Sequence, residues 1–268
     1  MKVPKIQEQR ILDYLEKGKR FDGRNTDAYR DIVIKKGISN KAEGSASVKL
    51  GNTEVYAGIK LEVIEPYPDS SDEGALITTF ELSPIASPDF ELGPPGIESI
   101  ELGRIIDRGI RESGFIDFKK LCIKEGEKVW SVSLDIYAIN DSGNLLDVAG
   151  LAALVALLDA KFPEYNEAED KIEHNLTNKK LPLDKESMAV NITIFKIGNQ
   201  FVLDPVKDEE EISEYRISFA VSSNKGEPRI SAIQKGKEAA ISEEDMEKIL
   251  NLLEHKWKEI FAKISKHA

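Results

Sequence analysis

Residues 208–216, DEEEISEYR, set four consecutive carboxylates (Asp208, Glu209, Glu210, Glu211) ahead of an alternating run, Tyr215, Ile217 and Phe219, with the period of a strand that has one apolar face. Carboxylates gathered at a strand end can hold a divalent ion or transfer a proton. Arg216, however, stands where a second acid would complete a pair with the cluster, and a solvated acidic loop accounts for the same residues. The other candidate is cationic. At ~100° per residue Arg104, Arg108 and Arg111 fall within ~60° of one another on a helix, opposite Leu102, Ile105, Ile106 and Ile110. Such a row is either a solvated face paired with Glu101, Asp107 and Glu112, or a contact for phosphate oxygens, which guanidinium groups match bidentately.

Other chemistry is sparse. His174, His255 and His267 read as surface residues, and no HExxH, Cys/His cluster, Ser/His/Asp grouping, P-loop or GxGxxG can be assembled. No metal or cofactor is therefore expected. GPPG at 93–96 could offer free backbone N–H groups to an anion, but Glu98 and Glu101 in the following turns would repel it, so a stiff entry to a helix is the better reading.

The 268 residues, 41% of them hydrophobic, can fill a sizeable core without staples. One cysteine, Cys122, cannot form an internal disulfide, and MKVPKIQEQRILDYLEKGKR lacks the apolar stretch of a signal peptide, so a reducing compartment, the cytoplasm, is expected. VAGLAALVALL at 148–158 falls short of the ~20 residues that span a bilayer and reads as a buried helix. A net charge of −11 opposes a surface that grips nucleic acid everywhere, so any polyanion contact must be local.

The elements that must position these groups follow from periodicity. Residues 6–17 form a helix with Ile6, Ile11, Leu12 and Leu15 near one face. Ala46, Val48 and Leu50 alternate, Gly51-Asn52 turns the chain, and Val55, Ala57, Ile59, Leu61 and Val63 alternate again, which is a hairpin. A strand over 75–83, a helix over 97–114, strands near 119–124 and 128–139, and a buried helix over 145–161 follow. Residues 163–186, charged and without period, read as a linker. A second half opens with a hairpin, Val190, Ile192 and Ile194 facing Phe201 and Leu203, continues with strands at 215–223 and 228–234, and closes on an amphipathic helix, 243–265. Ser242 caps that helix, with Met246, Ile249, Leu250, Leu253, Trp257, Ile260 and Phe261 as its apolar stripe. The pattern is α+β, divided as an N-terminal helix (1–18), a first subdomain (19–162), the linker and a second subdomain (187–268).

Several stretches together resemble the RNase PH superfamily of phosphorolytic 3′→5′ exoribonucleases: Arg20-Phe21-Asp22-Gly23-Arg24 with Arg30, Gly44-Ser45 and Leu50-Gly51-Asn52-Thr53, IELGRIIDRGIR at 100–111, and LDIYAINDSGNLLD at 134–147. Within it the likeness is to the larger ring subunit of the archaeal exosome. The resemblance implies two α+β subdomains with mixed sheets packed on helices. It also implies heterodimers with a catalytic paralogue, three to a hexameric ring, a trimeric cap of RNA-binding subunits, and single-stranded RNA as ligand.

Three departures from the active members stand out. Their Arg-Arg pair ahead of the helix's Glu-Ile-Glu-Leu corresponds to Ile97 and Glu98, the Gly-Ser-Arg that cradles phosphate becomes Gly143-Asn144-Leu145, and two aspartates six residues apart become Glu210 and Arg216. The resemblance thus implies a non-catalytic subunit that structures the paralogue's site and lends Arg104 and Arg108 to the RNA path, with Arg111 mattering less. Two alternatives are an active homohexameric phosphorolytic exoribonuclease and a small-molecule enzyme unrelated to RNA.

Overall fold

The computed structural model describes residues 3–266, apart from the side chain of His174. His267 and that side chain lie outside the described residues, and His255 is exposed on the last helix.

The first subdomain is a twisted sheet whose order is set by local hairpins and one crossover. Strands β1 (Ile32–Lys36), β2 (Gly44–Leu50) and β3 (Thr53–Ile64) form a meander, and β3 then pairs with the long β6 (Lys128–Asn140). The short β5 (Cys122–Lys124) folds back on β6, while β4 (Ala75–Leu82) runs parallel to it at the far edge, giving the order β1-β2-β3-β6-β4. Alternation works as physics requires: Ala46, Val48, Leu50, Val55, Ala57, Ile59 and Leu61 share one face and are all buried. Strand β1, five residues long with Ile32, Val33 and Ile34 in an unbroken run, is too short to show a period and is an addition to the elements expected from sequence.

Two helices cover this sheet: α2 (Ile97–Ser113), packed on β4, and α3 (Leu145–Asp159), packed on β2 and β3. Every residue of α3 from Leu145 to Leu158 is buried, because the second subdomain closes over its other side. That contact is intimate, since a Cβ at Gly150 would meet the Asn191 side chain at 2.8–3.0 Å.

The second subdomain has the strand order β10-β9-β11-β12, antiparallel throughout: β9 (Val190–Ile197), β10 (Gln200–Leu203), β11 (Tyr215–Asn224) and β12 (Glu227–Gly236). The closing helix α5 (Glu243–Ser265) begins where Ser242 accepts the Asp245 N–H at 3.1 Å, and it buries Ile249, Leu253, Trp257, Ile260 and Ile264. Leu250, expected in that stripe, is 40% exposed, and Ile6, expected on the inner face of the first helix, is 79% exposed.

The N-terminal helix α1 (Lys5–Glu16) joins this second subdomain across the length of the chain. Its Ile11 and Leu15 form a small separate core with Ile197 and Val202. The stretch read as a linker is mostly paired: β7 (Lys161–Asn166) and β8 (Lys171–Lys180) make a two-stranded ribbon. Trp130 anchors it, with ring centroids 5.2 Å from Phe162 and 5.8 Å from Tyr165. Most of β8 is exposed, so no apolar alternation marks it as a strand.

Candidate nucleic-acid interface

Helix α2 starts after Pro94, Pro95 and Gly96 and ends where Gly114 turns left-handed at φ +76°. Its inner face, Leu102, Gly103, Ile105, Ile106, Gly109 and Ile110, is buried, and this leaves Arg104, Arg108 and Arg111 exposed on the outer side. The three arginines are not equivalent. Arg111 is committed: its Nε lies 3.2 Å from Asp107 Oδ2, its Nη2 donates to the Leu76 carbonyl at 3.0 Å, and the guanidinium lies 5.5 Å from the Phe118 ring centroid. Among the described residues Arg104 and Arg108 make no ion pair or hydrogen bond. They stand between two grooves. One, of about 410 Å³, runs between α2 and the strands β11 and β12, with Ile97, Ile100 and Ile233 along it. The other, of about 460 Å³, runs against Thr78, Thr79 and Phe80 of β4. Two free guanidinium groups beside half-apolar grooves can take phosphate oxygens while the groove walls meet sugar or base.

The acidic stretch 208–211 is not a loop. It forms a short helix, α4 (Lys207–Ile212), whose carboxylates turn in different directions. Glu209 is buried, where it accepts from Arg20 Nε at 3.0 Å, pairs with Arg20 Nη2 and caps its own helix through the Val206 N–H at 3.0 Å. Asp208 accepts from Gln7 of α1. Glu210 reaches the start of α3, where its Oε2 accepts the Asn144 N–H at 2.9 Å, and burial pushes its carboxyl above the usual range.

Arg216, six residues on, donates to Glu101 Oε1 at 2.9 Å and to Ser218 Oγ at 3.1 Å. Lys207 pairs with Asp141. Burial works to lower the ammonium, but the Asp141 contact, with Glu210 and Glu98 nearby, outweighs it and holds the pKa above its ordinary value. Lys237 Nζ donates to the carbonyls of Glu210, Glu211 and Ser213 at 3.0, 3.2 and 2.6 Å, closing the end of α4. The fold thus joins two of the three departures named above directly, through the Asn144 N–H and Glu210, while Arg216 is taken up by Glu101 and Glu98 lies near Lys207. A carboxylate occupies the backbone N–H at the start of α3, where the helix dipole favours an anion, and a permanently charged guanidinium stands where a second acid would bind a cation or carry a proton.

Behind this lies a buried polar junction that no local sequence signal announced. Asp204, fully buried and left-handed at φ +47°, accepts from Arg24 Nη1 at 2.8 Å and from Arg30 Nη2, Nε and backbone N–H at 2.6, 2.9 and 2.7 Å. Asn144 Nδ2 bridges Asp204 Oδ1 at 3.2 Å and Asp147 Oδ2 at 3.1 Å. Asp147 in turn accepts the Thr193 hydroxyl at 2.8 Å, the Thr193 N–H at 3.2 Å and the Tyr29 hydroxyl at 3.2 Å. The motif arginines at 20, 24 and 30 therefore knit the first subdomain to the second.

Burial pushes the Asp147 carboxyl up to about 7, with Asp204 adding to the rise and donors from Thr193 and Asn144 opposing it. A folded pKa raised above the unfolded 3.8 contributes stability that is fully present below that value and is lost as the pH rises through 7. Wild type should therefore gain on Asp147→Asn as the pH falls from about 8 to about 4.5, by up to about 1.4 kcal/mol per pH unit. Urea melts of both proteins across that range are the check, and a constant difference would mean that Asp147 is ionised throughout.

With this geometry in view the comparisons are direct. The model of the 3′ exoribonuclease family matches twice, as domain 1 over residues 28–163 and as domain 2 over residues 187–252. The Exosome complex component Rrp42 of Methanothermobacter thermautotrophicus is 44% identical over 250 residues, covering 93% of this chain and 91% of that protein, and its namesake in Thermococcus kodakarensis is 41% identical, covering 97% and 95%. Among solved structures, a chain of the Archaeoglobus fulgidus exosome with RNA bound to the active site superposes with a TM-score of 0.84 at 40% identity, covering 96% of this chain and 98% of that one. A chain of an archaeal exosome core gives 0.82 at 35% identity, covering 97% of each. An α+β chain of two sheets clasped around a buried helix, carrying both matched domains in order and resembling these relatives along almost its whole length, belongs to the 3′ exoribonuclease family, the RNase PH family.

Proposed function

We propose that this chain is a non-catalytic ring subunit of an archaeal exosome, a phosphorolytic 3′→5′ RNA-degrading complex, and that it pairs with a catalytic RNase PH-like paralogue. The observation that carries this reading is the hydrogen bond from the Asn144 N–H to Glu210 at 2.9 Å, made while Arg216 pairs with Glu101. Inorganic phosphate needs that helix start, and the chain's own carboxylate holds it. The names of the relatives support the assembly: they are exosome components, and one solved relative is an exosome with RNA bound to the active site. In the proposed ring three heterodimers alternate, a trimeric RNA-binding cap sits on one face, and Arg104 and Arg108 contact single-stranded RNA on its way to the paralogue's site. No described helix is long and apolar enough to cross a membrane, and a cytoplasmic location fits the single free cysteine.

The test is reconstitution. The purified chain alone, with phosphate and Mg²⁺, is expected to leave oligoadenylate intact, whereas co-expression with the paralogue is expected to yield an active hexamer on size exclusion. Phosphate-dependent shortening by the chain alone would favour the homohexameric enzyme instead. Arg216→Asp alone should not restore activity, because Leu145 and Glu98 remain where active relatives place cations, and each lost cation removes separate charge stabilisation.

A further inference from the structure

A guanidinium on an acidic protein is available to RNA only if nothing nearby neutralises it. On a helix the neighbours that can do so lie three or four residues away. For Arg104 these positions hold Ile100, Glu101, Asp107 and Arg108, so two acids are within reach. Both are engaged elsewhere. Asp107 pairs with Arg111 at 3.2 Å and accepts the Thr78 hydroxyl at 3.2 Å, while Glu101 is drawn across the groove to Arg216 Nη2 at 2.9 Å. For Arg108 the acid within reach is Glu112, C-terminal to it, which is the weaker orientation for such a pair, and no contact between them forms.

Arg216 is itself held in place. Its Nη1 donates to Ser218 Oγ at 3.1 Å, and its side chain lies over Gly236, the residue opposite it on β12. A Cβ at Gly236 would sit 2.8 Å from Arg216 Nε, 2.9 Å from Cγ and 3.0 Å from Cζ, so glycine provides the floor on which the guanidinium reaches Glu101.

We propose that Arg216, seated on Gly236, is a positioning residue that holds Glu101 away from Arg104 and so keeps the RNA-facing guanidinium free. This rests on the RNA-contact reading of Arg104 and Arg108. It gives the residue at the altered acid position a function in its own right: the charge that rules out acid chemistry there maintains the positive potential of the stripe.

The experiment uses the full-length chain in the reconstituted ring and reads the affinity of a fluorescein-labelled single-stranded oligoadenylate across a salt series. Arg216→Met is expected to weaken binding about fivefold, because Glu101 is released to its helix neighbour, and to lower the salt slope by ~0.7, the share of one phosphate contact. Gly236→Ala, which leaves Arg216 in the chain but displaces it, is expected to move affinity in the same direction, and it serves if the Met variant assembles poorly. The discriminating variant is Glu101→Gln combined with Arg216→Met. With no carboxylate left to occupy Arg104, affinity should return to within about twofold of wild type, a rescue that a merely structural role for Arg216 would not produce.

Arg104→Ala with Arg108→Ala is measured alongside. If that pair weakens binding while Arg216→Met and Gly236→Ala do not, or if the Glu101→Gln combination fails to rescue, the positioning role is overturned and the RNA contact stands. If the pair itself has no effect, the RNA contact falls and the positioning role falls with it.

Discussion

Asp204→Ala is expected to cost about 3–5 kcal/mol of folding stability, a large part of what a domain of ordinary stability possesses. The reason is the arrangement around one carboxylate. Asp204 is fully buried and neutralises Arg24 at 2.8 Å and Arg30 at 2.6 Å, both guanidinium groups being largely shielded themselves. Removing the acid leaves Arg30 without its counter-ion and Arg24 with Asp22 alone, at 2.7 Å, in a site of low dielectric, which is far more costly than the pair is favourable. A second cost is conformational, since Asp204 sits at φ +47°, a region that Asp and Asn tolerate and Ala disfavours. Asp204→Asn keeps the backbone preference and part of the acceptor capacity, and it should lose noticeably less. Urea unfolding followed by the fluorescence of Trp130 and Trp257, one in each subdomain, is the measurement. A loss under about 1 kcal/mol for Asp204→Ala would show that the arginines find other partners and that the junction is not what joins the halves.

The second large effect concerns binding. Changing Arg104 and Arg108 together to Ala should leave folding within about 0.5 kcal/mol, because both side chains are exposed and free of partners among the described residues. Affinity for single-stranded RNA in the assembled ring should fall at least about tenfold, since charge-assisted hydrogen bonds contribute roughly 1.5–3 kcal/mol each in well-formed sites and solvent discounts that figure here. Two lost phosphate contacts on a single strand also flatten the log–log salt dependence by ~1.4. The Glu double variant should weaken binding further through repulsion.

Arg111→Ala separates the roles along the helix. It gives up the Asp107 pair, the Leu76 carbonyl and the Phe118 ring, so it should reduce stability, which the Arg104/Arg108 change does not, and because it frees Asp107 beside Arg104 it should also lower RNA affinity, by less than that double change. Unchanged affinity and slope in a correctly assembled Arg104/Arg108 double variant would return the stripe to a solvated face.

The chain shows which parts of such a protein are local and which are not. The hairpin around Gly51-Asn52, the buried helix from Leu145 and the Ser242 cap were all legible, because periodicity and capping depend on residues within a turn or two of each other. So was the cationic side of α2, whose 3.6-residue repeat separates Arg104 and Arg108 from Leu102 and Ile106 whatever surrounds the helix. Strand β8 leaves no mark in the sequence because a mostly exposed ribbon needs no apolar face, and α4 leaves none because four acids in a row look solvated until a buried arginine is brought to one of them.

What those acids do is a tertiary matter. Glu209 meets Arg20 across 189 positions of chain, Asp204 meets Arg30 across 174, and Arg216 meets Glu101 across 115. Ion pairing depends on where the folded backbone delivers each charge. Composition alone makes the protein acidic, and only the packing of β11 and β12 against α2 draws Glu101 to Arg216 and away from Arg104.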